Sequence, residues 1–429
     1  MAANFARLIP SLWFKFGFVR LWRLVPRGLR RRIVRQLVKL PARTGERLPH
    51  PHAPLMMCGF LSSPLGLGWG ARLNLELARE AGVETRLFDI GHAFATGKAD
   101  ASPPDAKGPG TVMFSFNPGQ FAYATRFLPP EILRDKYIIG YCVWELDRIP
   151  DDWLPPLSLL DELWVPTHFV KTAFENAAVT LPIRIVPHIL AAPPALAPDR
   201  ARFALPDDAF VVTVVASLRS SLARKNPLAA IAAFRKAFPD NENALLLLKL
   251  GDSHLEAEAL ATVQAHIAGD TRIRLLLDSL NDADMWTLLA SSDTILSLHR
   301  SEGFGLVPAQ AMLAGKPVVA TGWSGNLDFM PPDSACLVPY KLIPVADPGG
   351  LYVAPDQTWA DPDIDVAAGY LRDLYRDDSL RSAIGQRARE SIEAYFRDSR
   401  APIVAEMRRW TSTDTAIALE NKASTMVQD

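Results

Sequence analysis

Cysteine is scarce in this chain, three in 429 residues, and Cys58, Cys142 and Cys336 each lie in an apolar run. No CxxC pair and no Cys/His spacing occurs, which argues against a structural zinc. Buried, reduced thiols in a cytosolic protein are expected instead. Net charge is almost absent, at −1, but the balance is uneven. Residues 1–50 carry ten Arg and two Lys against Glu46 alone, about +11, which leaves about −12 on the rest. An anionic partner is therefore expected for the arm and not for the body. The arm also lacks an unbroken apolar run: Lys15 and Arg20 interrupt it well short of the roughly 20 residues a bilayer span needs. Its basic residues follow the apolar part and no small-residue cleavage site appears, which excludes a signal peptide.

What is present is a chain long enough for two domains. Its apolar fraction of 49% and charged fraction of 22% exclude wholesale disorder. Trp13, Phe14, Phe16, Phe18 and Trp22, interleaved with arginines, suit a helix lying in the headgroup plane of an anionic leaflet. Pro10 and Pro26 would break it into pieces. Docking on the chain's own acidic surface and RNA binding are the alternatives; no nucleic-acid partner is expected.

From residue 54 the pattern becomes α/β. PLMMCGFL (54–61) reads as a buried strand, SSPLGLGWG as a glycine-rich turn, ARLNLELAREAG (71–82) as a helix and VETRLFDI (83–90) as a strand. That is a βαβ unit of a parallel sheet. Further strands are expected at 111–116, 137–144 and 162–167. A second series begins at FVVTVVAS (210–217), with strands at 243–250, 272–278, 293–298 and 317–321 and helices at 229–239 and 284–292. The proline-rich stretch between the series reads as a linker. The expected layout is a basic arm over 1–50, a Rossmann-like domain over 51–190 and a linker over 191–208. A second Rossmann-like domain then covers 209–378, with C-terminal helices and tail over 379–429. Two such sheets place a cleft between their carboxyl ends.

The cleft chemistry is read from HRSEGFGLVPAQAMLAGKPVVAT, residues 299–321. Gly303 and Gly305 allow a close backbone turn, Pro308 suits the first helical turn and Gly315 the C-terminal stop. A helix start behind a glycine turn is an anion site, and Glu302 is placed to accept hydrogen bonds from sugar hydroxyls. In SLRSSLARKNP (217–227), Arg219 and Lys225 can reach one diphosphate from the same rim. GLGWG (66–70) lacks the full dinucleotide fingerprint, with Asp89 the nearest acid. His168 and His188 follow strands, and hydrogen-bonded structural roles are expected for both. Ser324, Gly325 and Asn326 can touch a ligand through their backbone. DADM (282–285) only superficially resembles a metal motif, because a helix start explains it by capping.

RKNP followed by EGFGLxxAQAMLAGKPVVAT resembles the retaining glycosyltransferases of family four, over residues 54 to about 400. The resemblance implies a GT-B fold, a nucleoside diphosphate sugar as co-substrate, and neither cofactor nor metal. It implies that Arg219 and Lys225 hold the diphosphate and that Glu302 contacts the donor sugar hydroxyls. Phe304, Gly305 and Leu306 would cradle sugar and phosphate by backbone, with Gly68 near the diphosphate. Two departures stand out. The second acid of the E-x7-E motif is Gln310, which can still accept one ribose hydroxyl, so weaker nucleotide binding is expected. Where many members place a His, this chain has Trp144 and Glu145, as in a bacterial subgroup assembling surface polysaccharides. Glu145 is then an acceptor-side base, a sugar-hydroxyl ligand or a brace for its own loop. The expected activity is hexosyl transfer to a glycan or lipid-linked acceptor at the inner face of the cell membrane. A non-catalytic nucleotide-sugar-binding scaffold and an NAD-dependent enzyme are the competing readings.

Overall fold

The computed structural model describes residues 40–63, 66–99, 102–191, 196–240, 243–354 and 356–411. The basic helix expected before residue 40, and the end of the tail after 411, lie outside the described residues.

The first sheet contains β1 (Thr44–Arg47), β2 (Leu55–Gly59), β3 (Thr85–Asp89), β4 (Gly110–Ser115), β5 (Arg134–Tyr141), β6 (Glu162–Val165) and β7 (Ile183–Ile185). Its order is β3-β2-β4-β5-β6-β7, with β1 on β5, and its pairs are parallel. The second contains β8 (Phe210–Ser217), β9 (Ala244–Gly251), β10 (Ile273–Leu276), β11 (Thr294–Ser297), β12 (Val318–Thr321) and β13 (Cys336–Val338). It runs β10-β9-β8-β11-β12-β13, also parallel. β2 and β4 are buried along their whole length, as a parallel sheet covered on both faces requires. In each sheet the order reverses at the first strand after the domain start, which opens a crevice at the strands' carboxyl ends. All three cysteines are buried in these cores, and burial pushes the Cys336 thiol up to about 12.

Several expectations need correction. GLGWG is not a turn ahead of a helix; Gly66 opens a helix that runs to Glu80. The reason is close packing. A Cβ at Gly68 would overlap the carbonyl oxygens of Phe60 and Ser63, and one at Gly70 would lie 2.5 Å from His188 Cε1. The loop 217–227 contains a helical turn, Leu222–Lys225, which Ser221 caps through its hydroxyl. Cys142–Trp144 lie beyond the end of β5, in the loop that follows it. Short strands β1, β7 and β13 were not foreseen, because three or four residues leave no legible period.

Two elements blur the expected domain boundary. A hairpin of β14 (Tyr340–Pro344) and β15 (Thr358–Pro362) leaves the second domain and packs Val345, Tyr352 and Trp359 into the first domain's core, beside Trp144 and Trp153. The final helix, Asp378–Arg409, returns to the first domain: Trp410 stacks 6.0 Å from Trp164, and Ala53 N donates to Trp410 O. Its apolar side, from Ala388 to Met407, belongs to the cluster that also holds Leu73 and Phe304. Burying such residues stabilises by about 1.5–3 kcal/mol each. The two halves thus share apolar cores and are held in one arrangement.

Candidate functional site

The site forms where β8 and β11 end. After β11 the chain runs through His299 to Glu302, then turns at Gly303–Gly305 into the helix Leu306–Leu313. Gly305 has φ +101°, which a side chain would strain, and a Cβ there would sit 3.3 Å from Asn326 Cβ. Pro308 occupies the helix's first turn and Gly315 closes its end with φ +68°, both as expected. Across the cleft, Leu306 reaches the start of the helix Gly66–Glu80, 3.7 Å from where a Gly66 Cβ would lie. Two helix starts therefore face one gap.

Glu302 is 8% exposed and carries two cations. Lys225 Nζ donates to Oε1 at 2.5 Å and Arg224 Nη1 lies 3.1 Å from Oε2. Burial alone would push the Glu302 carboxyl up, but Lys225 and Arg224 hold it at about 2. Burial lowers Lys225, and Glu302 pulls it back up. The backbone is set as firmly: Glu302 N donates to Ser324 Oγ at 2.8 Å and Gly325 N donates to Glu302 O.

Arg224 is the residue that sequence reasoning passed over. It is buried, donates to Ser301 O at 2.7 Å and to Ser220 O at 3.3 Å, and lies over the Tyr352 ring at 5.7 Å. Its other nitrogen, Nη2, is 3.9 Å from Glu145 Oε1. The adjacent pair Arg-Lys was the available signal, since a helical turn ending in two cations sends them to neighbouring points. Arg219 lies exposed in the turn Leu218–Ser220. Glu145, in the loop after β5, keeps 21% of its side chain exposed at the junction of the two domains. Burial raises its pKa, while Arg224 draws it down against the nearby charge of Glu302.

Phe304 is buried, its ring 4.9 Å from Phe329 and 5.1 Å from His188, so only its backbone can face a ligand. Gln310 is buried in the same helix, and its Nε2 has no hydrogen-bond partner among the described residues. Gly68 sits in the opposing helix start, beneath the loop that Arg72 closes by donating to Leu61 O and Ser63 O. Asp89 accepts from Ser62 N and Gly91 N, a loop-holding role.

The two histidines have structural partners. The Tyr141 hydroxyl lies 2.9 Å from Val186 O and 3.1 Å from His188 Nδ1, which ties the imidazole into the core. Burial lowers His188 to about 3 and keeps it neutral. His168 donates from its backbone to Asp328 Oδ2, with Nδ1 at 2.9 Å, an inter-domain contact. Thr167 Oγ1 adds another by donating to Gly303 O at 2.8 Å. Asn326 bridges His299 and Thr321, so its side chain serves the turn. Asn281 caps the helix Asp282–Ser291, and Asp284 pairs with Arg202.

This arrangement, two facing parallel Rossmann-like sheets with a helix start and a cation cluster at their shared cleft, is the GT-B type. Residues 197–338 match the model of "Glycosyl transferases group 1". It is 32% identical over 171 residues to an N-acetyl-alpha-D-glucosaminyl L-malate synthase from Bacillus anthracis, a match covering 40% of this chain and 38% of that relative's length. Among solved structures, HepE from Anabaena in complex with UDP-glucose has a TM-score of 0.58 at 14% identity, covering 86% of this chain and 99% of that one. Sucrose-phosphate synthase from Thermosynechococcus elongatus has 0.56 at 15%, covering 88% and 99%. WaaG, a glycosyltransferase involved in lipopolysaccharide biosynthesis, has 0.52 at 15%, covering 82% and 99%. These likenesses concern the fold.

Proposed function

We propose that the protein is a retaining, metal-independent glycosyltransferase that moves a hexosyl unit from a nucleoside diphosphate sugar to a glycan or lipid-linked acceptor. One observation carries the reading: Glu302 held between Lys225 and Arg224 directly before a helix start, facing a second helix start across the cleft. A diphosphate needs the cations and the helix amides, and a sugar's hydroxyls need the carboxylate. A site that merely bound an anion would gain nothing from a buried acid at its centre, which costs several kcal/mol to desolvate.

In this reading Lys225 and Arg219 offset the charge that builds on the departing diphosphate, and Glu302 orients the sugar. The leaving phosphate guides the acceptor hydroxyl to the same face, and closing of the cleft excludes water. A glucose-related donor sugar is favoured by the likeness to the N-acetyl-alpha-D-glucosaminyl L-malate synthase. The basic arm would hold the protein at the inner face of the cell membrane, near a lipid-linked acceptor of surface-polysaccharide synthesis. Among the described residues no helix is long and apolar enough to cross a membrane.

The test is nucleotide release from a panel of UDP-, GDP-, ADP- and dTDP-sugars, with membrane lipid extract as acceptor. Glu302→Ala and Lys225→Ala run alongside. Release from one donor that both substitutions abolish is the expected result. No release from any donor, with one nucleotide still bound, would overturn it in favour of a binding scaffold.

A further inference from the structure

The helical segment Leu222–Lys225 that carries both cations is a single turn, and one turn does not hold its own shape. Its entry and exit are backbone outliers. Ser221 has φ +70° and ψ +114°, and Asn226 has φ +52°, values that residues with side chains rarely adopt. Such conformations persist where surrounding contacts impose them, and they gather at sites that clamp ligands. Asn226 pins the exit, its Nδ2 donating to Leu298 O at 3.0 Å, and Arg300 pins the middle, its Nη1 donating to Ala223 O at 2.8 Å. The entry is held from far along the chain: the Ser221 hydroxyl donates to Asp347 Oδ1 at 2.8 Å.

Asp347 lies in the excursion between β14 and β15, and its two oxygens have separate partners. Oδ2 accepts from Leu351 N at 2.8 Å and from Tyr352 N at 3.0 Å, which fixes the carboxylate in its own loop. Oδ1 is left to face Ser221. That loop has a firm footing, because Val345, Tyr352 and Trp359 are buried in the first domain's core. The Ser221 hydroxyl oxygen in turn accepts from Arg224 N at 3.1 Å. Asp347, Ser221 and Arg224 thus form a relay of hydrogen bonds, and a carboxylate at its end polarises the hydroxyl into a better acceptor.

We propose that Asp347 is a positioning residue: through the Ser221 hydroxyl it fixes the start of the cation-bearing turn, and so sets where Arg224 and Lys225 meet Glu302. The proposal rests on the glycosyl-transfer reading for its kinetic consequence, but not for its geometry. Lys225 Nζ and Arg224 Nη1 reach the two oxygens of one carboxylate, at 2.5 and 3.1 Å. Contacts that short tolerate little rotation of the turn. A turn loose at its entry keeps its charges but spreads their positions, which slows a step that needs oriented cations more than it weakens binding. The second domain's cations therefore depend on a loop seated in the first domain.

Asp347→Asn separates the relay from the loop. Its one carbonyl oxygen still serves Leu351 N and Tyr352 N, while the amide group turned toward Ser221 is a donor and reverses that bond. The first arm of the test is hydrogen exchange over residues 221–226, read by mass spectrometry on the full chain without sugar nucleotide. The expected result for Asp347→Asn is exchange about three- to tenfold faster there, with the following helix, Pro227–Ala237, unchanged. Ser221→Ala should accelerate exchange similarly, and adding Asp347→Asn to it should change nothing more, because the two residues act in series. Unchanged exchange in Asp347→Asn, or accelerations that multiply in the double variant, would overturn the proposal whether or not the protein turns over a sugar nucleotide.

The second arm is nucleotide release. The expected pattern for Asp347→Asn is kcat lowered about tenfold with KM for the donor moved less than about threefold, and no further loss in the double variant. Full activity, or a raised KM with kcat unchanged, would overturn it. Losses that multiply with those of Ser221→Ala, together with a lower melting temperature, would mean a merely structural aspartate and would also overturn it. Absence of release by the unmodified protein would count against the transferase reading alone, because the exchange arm still decides the role of Asp347.

Discussion

Lys225 Nζ lies 2.5 Å from Glu302 Oε1 although 77 residues separate the two in the chain. With Arg224 on the other carboxylate oxygen, the pair makes a compact charge cluster in a place where water is mostly excluded. The attraction outweighs the desolvation of the acid, which is why Glu302 is held at about 2. Everything proposed about the cleft depends on this cluster.

Breaking the cluster from its two ends should have different costs. Glu302→Ala leaves two cations with only Glu145 for a partner, and an unpaired buried charge costs about 3–5 kcal/mol. Lys225→Ala leaves Glu302 on Arg224, so a smaller loss of stability is expected. Both should lower nucleotide release by about 100-fold or more. Thermal unfolding of the two variants beside a release assay checks the asymmetry. Equal melting temperatures would contradict it.

Gln310 is expected to link binding to stability. Its buried Nε2, without a partner among the described residues, costs about 1–3 kcal/mol. Gln310→Met keeps the volume and removes the unpaired donor. The expected outcome is a higher melting temperature and weaker nucleotide binding by calorimetry. A stabilised variant with unchanged affinity would remove Gln310 from the binding site.

His188 makes stability depend on pH with a definite sign. Its folded pKa is about 3 against an ordinary 6.5, so below pH 6.5 the unfolded chain takes up a proton that the folded one refuses. Stability therefore falls as pH drops from 6.5 toward 3, by about 1.4 kcal/mol per unit from this group. Glu302 acts at lower pH: its contribution is complete above about 4.5 and is lost as pH falls toward 2. Denaturant melts of the His188→Asn variant should show a flatter slope between pH 6 and about 4.5. An identical slope would refute the assignment.

Gly303 of the second domain packs closely against the first. A Cβ there would lie 2.5 Å from Val143 Cγ1 and 2.9 Å from Trp144 O. Gly303→Ala should cost about 1–3 kcal/mol, or push the domains apart to relieve the overlap. Calorimetry with small-angle scattering separates the two responses. Neither a stability loss nor a larger radius would show that the junction has room to spare.

The sequence by itself determined the two βαβ series, because hydrophobic period and glycine punctuation are local properties. It also determined Glu302, Lys225 and the helix start behind Gly305, which sit within short, chemically distinctive stretches. The tertiary structure decided what surrounds them. Arg224 drew no reading from the sequence, and it gains its partners only because the chain after β11 brings Ser301 and Glu302 beside it. Tyr352 sits in an aperiodic excursion far along the chain from Arg224, and Asp347 reaches Ser221 across 126 residues. Contacts of that separation leave no period and no spacing in the chain. They exist only once two sheets and a hairpin have packed, since burial and distance, not residue type, give these groups their partners.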